Sequence, residues 1–200
     1  MTFYSHTRYS IGDGKILIMG AGGCGSGFIW NVLRRCGLET TEHREWMRHS
    51  GVRSAIKAGT HKDFPSPKVI KHLGGFLTNL NYHLDKMDWE VEHVFFCVAS
   101  YELQMHSYKK RSKGEYNREQ CVEKYERALG KGLIELIERD HPFSLVRCPA
   151  SIKDPVYCYN KLKVVLGDLH SDLGVMPYEE FFKHHQAQIS PRHYRRLDGY

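Results

Sequence analysis

The chain alternates between short apolar runs and longer segments in which apolar residues recur every three or four positions. The runs have the length of strands, and the longer segments have the period of amphipathic helices. Strands are predicted over residues 16–19, 38–43, 68–72, 92–99 and 143–147, and helices over residues 28–36, 45–58, 76–87, 100–110, 119–139 and 154–166. Strands that alternate with helices predict a mostly parallel sheet with helices on both faces, and therefore a single α/β domain.

Three of the predicted helix ends carry residues that are typical of such positions. Ser100 stands where an N-cap is expected, because its hydroxyl can accept a hydrogen bond from the first turn. Asp154-Pro155 places a proline at the first helical position. Gly37 follows the first helix as a C-cap. These signals support the assignment of the segments as helices.

The chain is predicted to have three parts. Residues 1–14 are expected to form a loosely structured lead-in, and residues 15–169 the α/β domain. Residues 170–200 form a polar, aromatic and basic C-terminal tail. Two interpretations of this tail are open: it folds back as a lid or substrate wall, or it joins a partner surface. Its histidine pair, His184-His185, is interpreted as part of a surface helix.

The composition indicates a soluble globular protein, with 41% hydrophobic and 26% charged residues in a chain of 200. No apolar run approaches the roughly 18–20 residues of a membrane span, and the first ten residues lack the apolar core of a secretion signal. We therefore expect a cytoplasmic protein. The net charge of +6 suits an anionic small-molecule ligand. The basic residues are scattered, so nucleic acid is not expected as a partner, and no pattern indicates an oligomeric state.

The cysteines and histidines do not have the spacing of a metal site, so no metal is expected. No two of the six cysteines form a C-x-x-C pair, and the chain has no H-E-x-x-H motif. Three cysteines lie in apolar contexts, where a buried free thiol is usual. A reduced intracellular protein is the simplest interpretation.

The segment with the clearest chemical signal runs from Lys15 to Cys36. A buried strand is followed by a loop with five glycines in the eight residues 20–27, and then by a helix. Such a loop brings backbone N–H groups to a helix N-terminus, a geometry that receives a phosphate. Cys24 within the loop is interpreted as a small residue that the turn accepts rather than as a reactive thiol. The sequence therefore predicts a phosphate-binding loop at this position.

Two common nucleotide motifs match this loop only in part. In the Walker A pattern G-x-x-x-x-G-K-[ST], Gly20 and Gly25 fit, but Ser26 and Gly27 stand where Lys and Ser/Thr are required. Hydrolysis of a nucleoside triphosphate is therefore poorly supported.

The dinucleotide pattern G-x-G-x-x-G is matched by Gly20, Gly22 and Gly25, after a strand and before a helix. This pattern also requires an acidic residue about 20 positions further on, at the end of the second strand. Glu42 and Glu45 are the candidates. A Rossmann-type dinucleotide- or adenylate-binding enzyme is thus one alternative function.

Four segments, in order, resemble the PAPS-dependent sulfotransferase family. Residues 22–28, GGCGSGF, resemble the family's P-loop, G-x-G-(R/K)-S-G-T. Residues 67–77 resemble its K-x-H-L-P strand end, and residues 93–107 resemble V-x-x-x-R-[DN]-P-x(5)-S. The strand at residues 143–147 with the Asp-Pro helix and its VVLG end resembles the closing segment of the family. The resemblance implies a P-loop α/β fold and transfer of a sulfonate from PAPS, with PAP as the product.

The resemblance also implies roles for particular residues. His72 would act as base on the acceptor hydroxyl. Lys71 beside it is our candidate to neutralise developing charge in place of the family's P-loop residue. Ser107 and Arg111, one helical turn apart, would hold the 3′-phosphate. The acceptor would be a hydroxyl-bearing small molecule or glycan, and no metal would be required. The residues that would hold the 5′-phosphosulfate are Gly22, Gly23, Cys24, Gly25, Ser26, Gly27 and Phe28.

Departures from the family pattern include three positions at which a phosphate or sulfonate contact is expected. Gly25 replaces the basic residue of the P-loop, Phe28 replaces the threonine, and Ala99 replaces the arginine that binds the 3′-phosphate. Loss of one preorganised charged group typically costs about 2.7–4 kcal/mol in the transition state. The charge is therefore expected from Lys71 at the sulfonate and from Arg111, Lys109, Lys110 or Lys113 at the 3′-phosphate. A non-catalytic nucleotide-binding protein that lost the basic P-loop residue is the second alternative.

Overall fold

The computed structural model describes residues 14–21, 23–42, 68–71, 90–111, 117–167 and 175–189. The strands in these residues are β1 (Lys15–Gly20), β2 (Thr40–Glu42), β3 (Val69–Lys71), β4 (Val91–Ala99) and β5 (Phe143–Cys148). The helices are α1 (Ser26–Arg35), α2 (Tyr101–Arg111), α3 (Arg118–Glu138), α4 (Ala150–Lys153), α5 (Pro155–Leu162) and α6 (Tyr178–Gln188). The predicted helices over 45–58 and 76–87, and the lead-in apart from Gly14, lie outside the described residues.

The five strands form one sheet in the order β2-β3-β1-β4-β5, and all four pairings are parallel. The central strand β1 is apolar on both faces because helices cover both sides of the sheet. In its register, Ile18 lies opposite Lys71 of β3, and Gly20 lies opposite Cys97 of β4. The predicted α/β domain with a parallel sheet is confirmed.

Two hydrophobic cores cover the two faces of this sheet. On one face, Ile16 and Ile18 of β1 pack with α1, α5 and α6. On the other face, Leu17 and Met19 pack with α2 and α3, including the buried ring of Tyr125. The alternation of odd and even positions along β1 follows from the two-residue period of a strand. The helices thus lie on both faces, as the sequence predicted.

Side-chain caps fix the start of three helices. The Ser100 hydroxyl accepts a hydrogen bond from the N–H of Leu103 at 3.4 Å, which confirms the predicted N-cap of α2. Asp154 accepts from the N–H of Tyr157 at 2.9 Å and begins α5, with proline at its first turn as predicted. Asn117 caps α3 in the same way, through the N–H of Gln120 at 3.1 Å. Each cap satisfies a donor that the helix itself leaves without a partner.

Two helices of the fold were not predicted. The short helix α4 follows β5 directly. Helix α6 lies within the segment assigned to the tail, and its Phe181 and His185 are fully buried between α1, α5 and α4. The predicted boundary at residue 170 therefore does not separate this helix from the core. The interpretation of His184-His185 as a surface pair holds only for His184, which is half-buried.

The six cysteines are free, and five of them are buried. The sixth, Cys121 of α3, is half-buried. No helix among the described residues combines the length and the apolar character needed to cross a bilayer.

Candidate functional site

The glycine loop connects the carboxyl end of β1 to the start of α1. Gly23 and Gly25 have φ of 99° and 82°, in the left-handed region where a side chain is strained. Gly25 is also the residue before α1, and no side chain caps the helix. The first N–H groups of a helix have no partner within it. These donors therefore make the start of α1 suitable for an anion.

The loop packs closely against α2. A Cβ built on Gly23 would lie 2.5 Å from the Cβ of Ser107 and even closer to its hydroxyl oxygen. The carboxamide oxygen of Gln104, which is fully buried, lies 4.0 Å from the same point. The structure thus brings together two of the residues that the sequence assigned to one ligand, Gly23 and Ser107. The closeness of α2 explains why position 23 is a glycine.

The rest of the loop rests on β4, β5 and α4. A Cβ on Gly20 would collide with the sulfur of Cys24 and lie 2.6 Å from the carbonyl oxygen of Cys97. A Cβ on Gly25 would lie 3.1 Å from the sulfur of Cys148. Cβ atoms at these positions would displace the loop. Only glycine, which has no Cβ, fits between the sheet and the flanking helices at these positions.

Lys71 reaches this loop from the neighbouring strand. It is the last residue of β3, it lies opposite Ile18, and it is 9% exposed. Its Nζ lies 3.7 Å from the point where a Cβ of Gly27 would stand, and 5.6 Å from the ring centre of Trp30. An ammonium group therefore lies beside the first turn of α1.

The electrostatics of this arrangement favour an anion. The N-terminus of a helix carries roughly +0.5 of an elementary charge, and Lys71 adds a full positive charge next to it. The first turn of α1 has no acidic residue, and its last turn has Arg34 and Arg35, which suit the negative end of the helix. An anion bound at the loop would stabilise both positive groups.

The Cys24 thiol points away from solvent, towards β4. It is 1% exposed, and a hydrogen bond that it accepts from the Cys97 thiol lowers its pKa. Burial acts in the opposite direction, and hydrogen bonds from Ser26 lower the pKa further. The pKa of Cys97 is raised correspondingly, by the same hydrogen bond and by burial. This thiol pair is part of the packing beneath the loop, in agreement with the interpretation of Cys24 as a residue that the turn accepts.

Several predicted site residues have other positions or lie outside the described residues. His72 and Gly22 lie outside them. Arg111 is the last residue of α2, and its side chain is not described. Phe28 turns its ring into the core, 5.1 Å from the ring of His185, and its N–H donates to the carbonyl of Gly25 at 2.9 Å. Phe28 therefore gives α1 its anchor in the core.

Ala99 replaces the expected arginine, and its backbone is hydrogen-bonded by a tyrosine side chain. The hydroxyl of Tyr125 donates to the carbonyl of Ala99 at 3.0 Å and accepts from its N–H at 3.1 Å. Burial, first among the causes, raises the pKa of Tyr125, so its hydroxyl stays protonated. The end of β4 is thus held by a tyrosine from α3.

The strand order disagrees with the dinucleotide interpretation of the loop. In the usual dinucleotide fold the second strand is next to the first, so that its terminal acidic residue reaches the ribose. Here β3 lies between β1 and β2, and β2 ends at Glu42. Two strand spacings are roughly 9.6 Å. Glu42 is therefore not at the end of the strand next to the loop, and Glu45 lies outside the described residues.

No group of three or more His, Cys, Asp or Glu side chains in the described part of the chain has the arrangement of a metal site.

Sequence reasoning did not identify Trp30, which contacts Lys71, or Gln104, which lies beside Gly23. The spacing of Gln104 three residues before Ser107, on one helix face, was the available signal. Trp30 lies one turn after Gly27, but its contact with Lys71 depends on how α1 crosses β3.

No family model and no curated protein matches this chain. Among solved structures, it is similar to a deoxyadenosine kinase from M. mycoides with bound dCTP, with a TM-score of 0.44 and 16% identity over 76% of this chain and 100% of that chain. It is also similar to an unliganded sugar kinase from Janibacter sp., with a TM-score of 0.39 and 13% identity over 76% of this chain and 95% of that chain. TM-scores this low carry no inference about ligand or activity.

Proposed function

We propose that this chain is a PAPS-dependent sulfotransferase that moves a sulfonate group to the hydroxyl of an acceptor. The observation that carries the proposal is the convergence of three separate segments on one loop. The uncapped start of α1, the ammonium of Lys71 and the hydroxyl of Ser107 all lie at the glycine loop. These segments are also the ones in which the sequence resembles the sulfotransferase family, and in the same order.

The described residues fit the anionic donor through their backbone and one cation. The N–H groups of the loop and of the first turn of α1 are assigned to the 5′-phosphosulfate. The Ser26 hydroxyl, which donates to the Cys24 sulfur in the free chain, is assigned to the same group and would turn towards it on binding. Lys71 is assigned to the charge that develops on the transferring sulfonate and replaces the basic residue missing at Gly25. Ser107 and Arg111 are assigned to the 3′-phosphate. When bound, PAPS supplies a sulfonate carried on a phosphate leaving group.

His72, which follows the last residue of β3, is assigned as the base that removes the proton of the acceptor hydroxyl. The acceptor oxygen forms a bond to sulfur while the bond from sulfur to the phosphate oxygen breaks. His72 takes the proton, and PAP leaves with the electron pair. The acceptor is a hydroxyl-bearing small molecule or glycan, and this mechanism requires no metal.

A thermal-unfolding panel with PAP, AMP, NAD and ATP tests the proposal. A ligand at 100 times its Kd stabilises the folded state by about 2.7 kcal/mol, which for a chain of this size raises Tm by about 5–11 °C. We expect PAP to give this shift and AMP, which has no 3′-phosphate, to give less. Stabilisation by NAD or ATP without any effect of PAP would overturn the assignment. Binding of PAP without consumption of PAPS, across a panel of hydroxyl acceptors, would identify the non-catalytic alternative.

A further inference from the structure

Two cations lie over the ring of one tryptophan on α1. Trp30 is half-buried and packs against the core between α1 and the sheet. The guanidinium carbon of Arg34 lies 5.1 Å from its ring centre, and the Nζ of Lys71 lies 5.6 Å from it. Both distances are within the roughly 6 Å over which a ring face attracts a cation. Only one of these cations, Lys71, also reaches the glycine loop.

The face of Trp30 offsets two costs of placing the Lys71 ammonium beside α1. A lysine side chain has four rotatable bonds, and fixing it costs up to about 2 kcal/mol of conformational entropy. Its Nζ also lies beside the positive end of α1, which repels it. The electron-rich face of Trp30 offsets both effects, because it attracts the ammonium from the side of α1.

We propose that Trp30 is a positioning residue, which holds the Lys71 ammonium beside the start of α1 for contact with the bound sulfonate or phosphate. The proposal deepens the proposed function and rests on it. Trp30 touches the lysine and not the reacting atoms. Removal of its ring should therefore weaken anion binding only as far as Lys71 contributes to that binding.

The contact itself is tested without a ligand. In protein labelled with ¹³C-lysine, a lysine Cε–Hε resonance shifted upfield by the indole ring current should vanish in Lys71→Met. The resonance should lose its shift in Trp30→Leu and keep most of it in Trp30→Phe, which retains an aromatic face. A Lys71 resonance at the random-coil position in the wild-type chain would overturn the proposal.

The consequence is tested by a double-mutant cycle on the Kd of PAP. We expect Trp30→Leu to weaken binding roughly 3- to 30-fold, within the range of a cation–π contact, and Trp30→Phe to stay within about 3-fold of wild type. In a Lys71→Met background, Trp30→Leu should cause little further loss, because the two residues act through one contact. Arg34→Ala is the matched control, since it removes the other cation over the same ring, and it should leave the Kd unchanged.

The outcomes separate this proposal from the proposed function. Equal losses from Trp30→Leu in the wild-type and Lys71→Met backgrounds would show a general structural role and overturn the positioning proposal. Failure of Trp30→Phe to restore binding would also overturn it. The folded wild-type chain could also bind no PAP although the Lys71 resonance is shifted. This result would confirm the Trp30–Lys71 contact but overturn both the proposed function and the role of that contact in anion binding.

Discussion

Substitution of Gly23 by alanine should force the glycine loop and helix α2 apart. The residue has φ of 99°, and its added Cβ would lie 2.5 Å from the Cβ of Ser107. A real Cβ does not approach another carbon so closely. Either the loop or α2 must therefore move, and the loop loses its present conformation.

The expected cost can be worked out from these two effects. A non-glycine residue in the left-handed region costs about 1–2 kcal/mol, and forcing extra volume into a packed contact costs about 1–3 kcal/mol. Partial relaxation of the exposed loop reduces the sum, so we expect a loss of about 2–4 kcal/mol in the free energy of unfolding. For a chain of this length this loss lowers Tm by about 4–16 °C.

The assay is urea unfolding at 25 °C, followed by PAP titration of the folded variant. Gly130→Ala is the control, because Gly130 lies within helix α3 and a Cβ there would have nothing within 4 Å. The same substitution should stabilise the chain by about 0.5–1 kcal/mol at that position. Opposite signs for the two variants would support the loop conformation.

A Gly23→Ala variant that unfolds at the wild-type urea concentration and binds PAP with wild-type Kd would refute this reasoning. It would mean that position 23 is not left-handed, or that α2 does not lie against the loop. Unchanged stability with a loss of PAP binding would also refute the predicted unfolding cost, because the strain would then arise only in the ligand-bound loop.

Three further outcomes follow from the structure. Tyr125→Phe leaves the N–H and carbonyl of Ala99 without their hydroxyl partner and should cost about 1–3 kcal/mol in urea unfolding; wild-type stability would contradict this. Burial lowers the pKa of His185 below its usual 6.5, so on acidification the unfolded chain takes up a proton that the folded chain does not, and stability falls. The Tm of His185→Gln should therefore fall less than that of the wild-type chain between about pH 7.5 and 5. An equal fall of Tm in both chains would contradict this prediction. Burial raises the pKa of Cys148 to about 12, so iodoacetamide at neutral pH should label the half-buried Cys121 first, as peptide mass spectrometry would show.

The sequence was sufficient to predict the parts of the fold that depend on local pattern. The apolar run of β1, the five glycines and the following helix were predicted because each has its own period or composition. The N-cap at Ser100 and the helix start at Asp154-Pro155 were predicted because the chemistry of a helix start is local. The parallel sheet followed from the alternation of strands and helices.

The sequence was not sufficient to predict the features that depend on tertiary packing. Helix α6 lies in a polar segment, and it is anchored by Phe181 and by a buried histidine, His185, which the sequence pattern marks as a surface residue. The order of strands, with β3 next to β1, depends on long-range pairing. The contact between Lys71 and Trp30 depends on that order, so no spacing along the chain could reveal it.

The central claim is that the glycine loop, the start of α1 and Lys71 form one anion site. Isothermal titration of PAP into the wild-type chain and into Lys71→Met tests it most directly. Loss of a charge-assisted hydrogen bond, about 1.5–3 kcal/mol, should weaken the Kd by about 10- to 150-fold. Lys68→Met is the control, since Lys68 lies at the other end of β3 in an ion pair with Glu92, and it should keep the wild-type Kd. Equal PAP affinity of the wild-type and Lys71→Met chains, or no binding to either, would contradict the account.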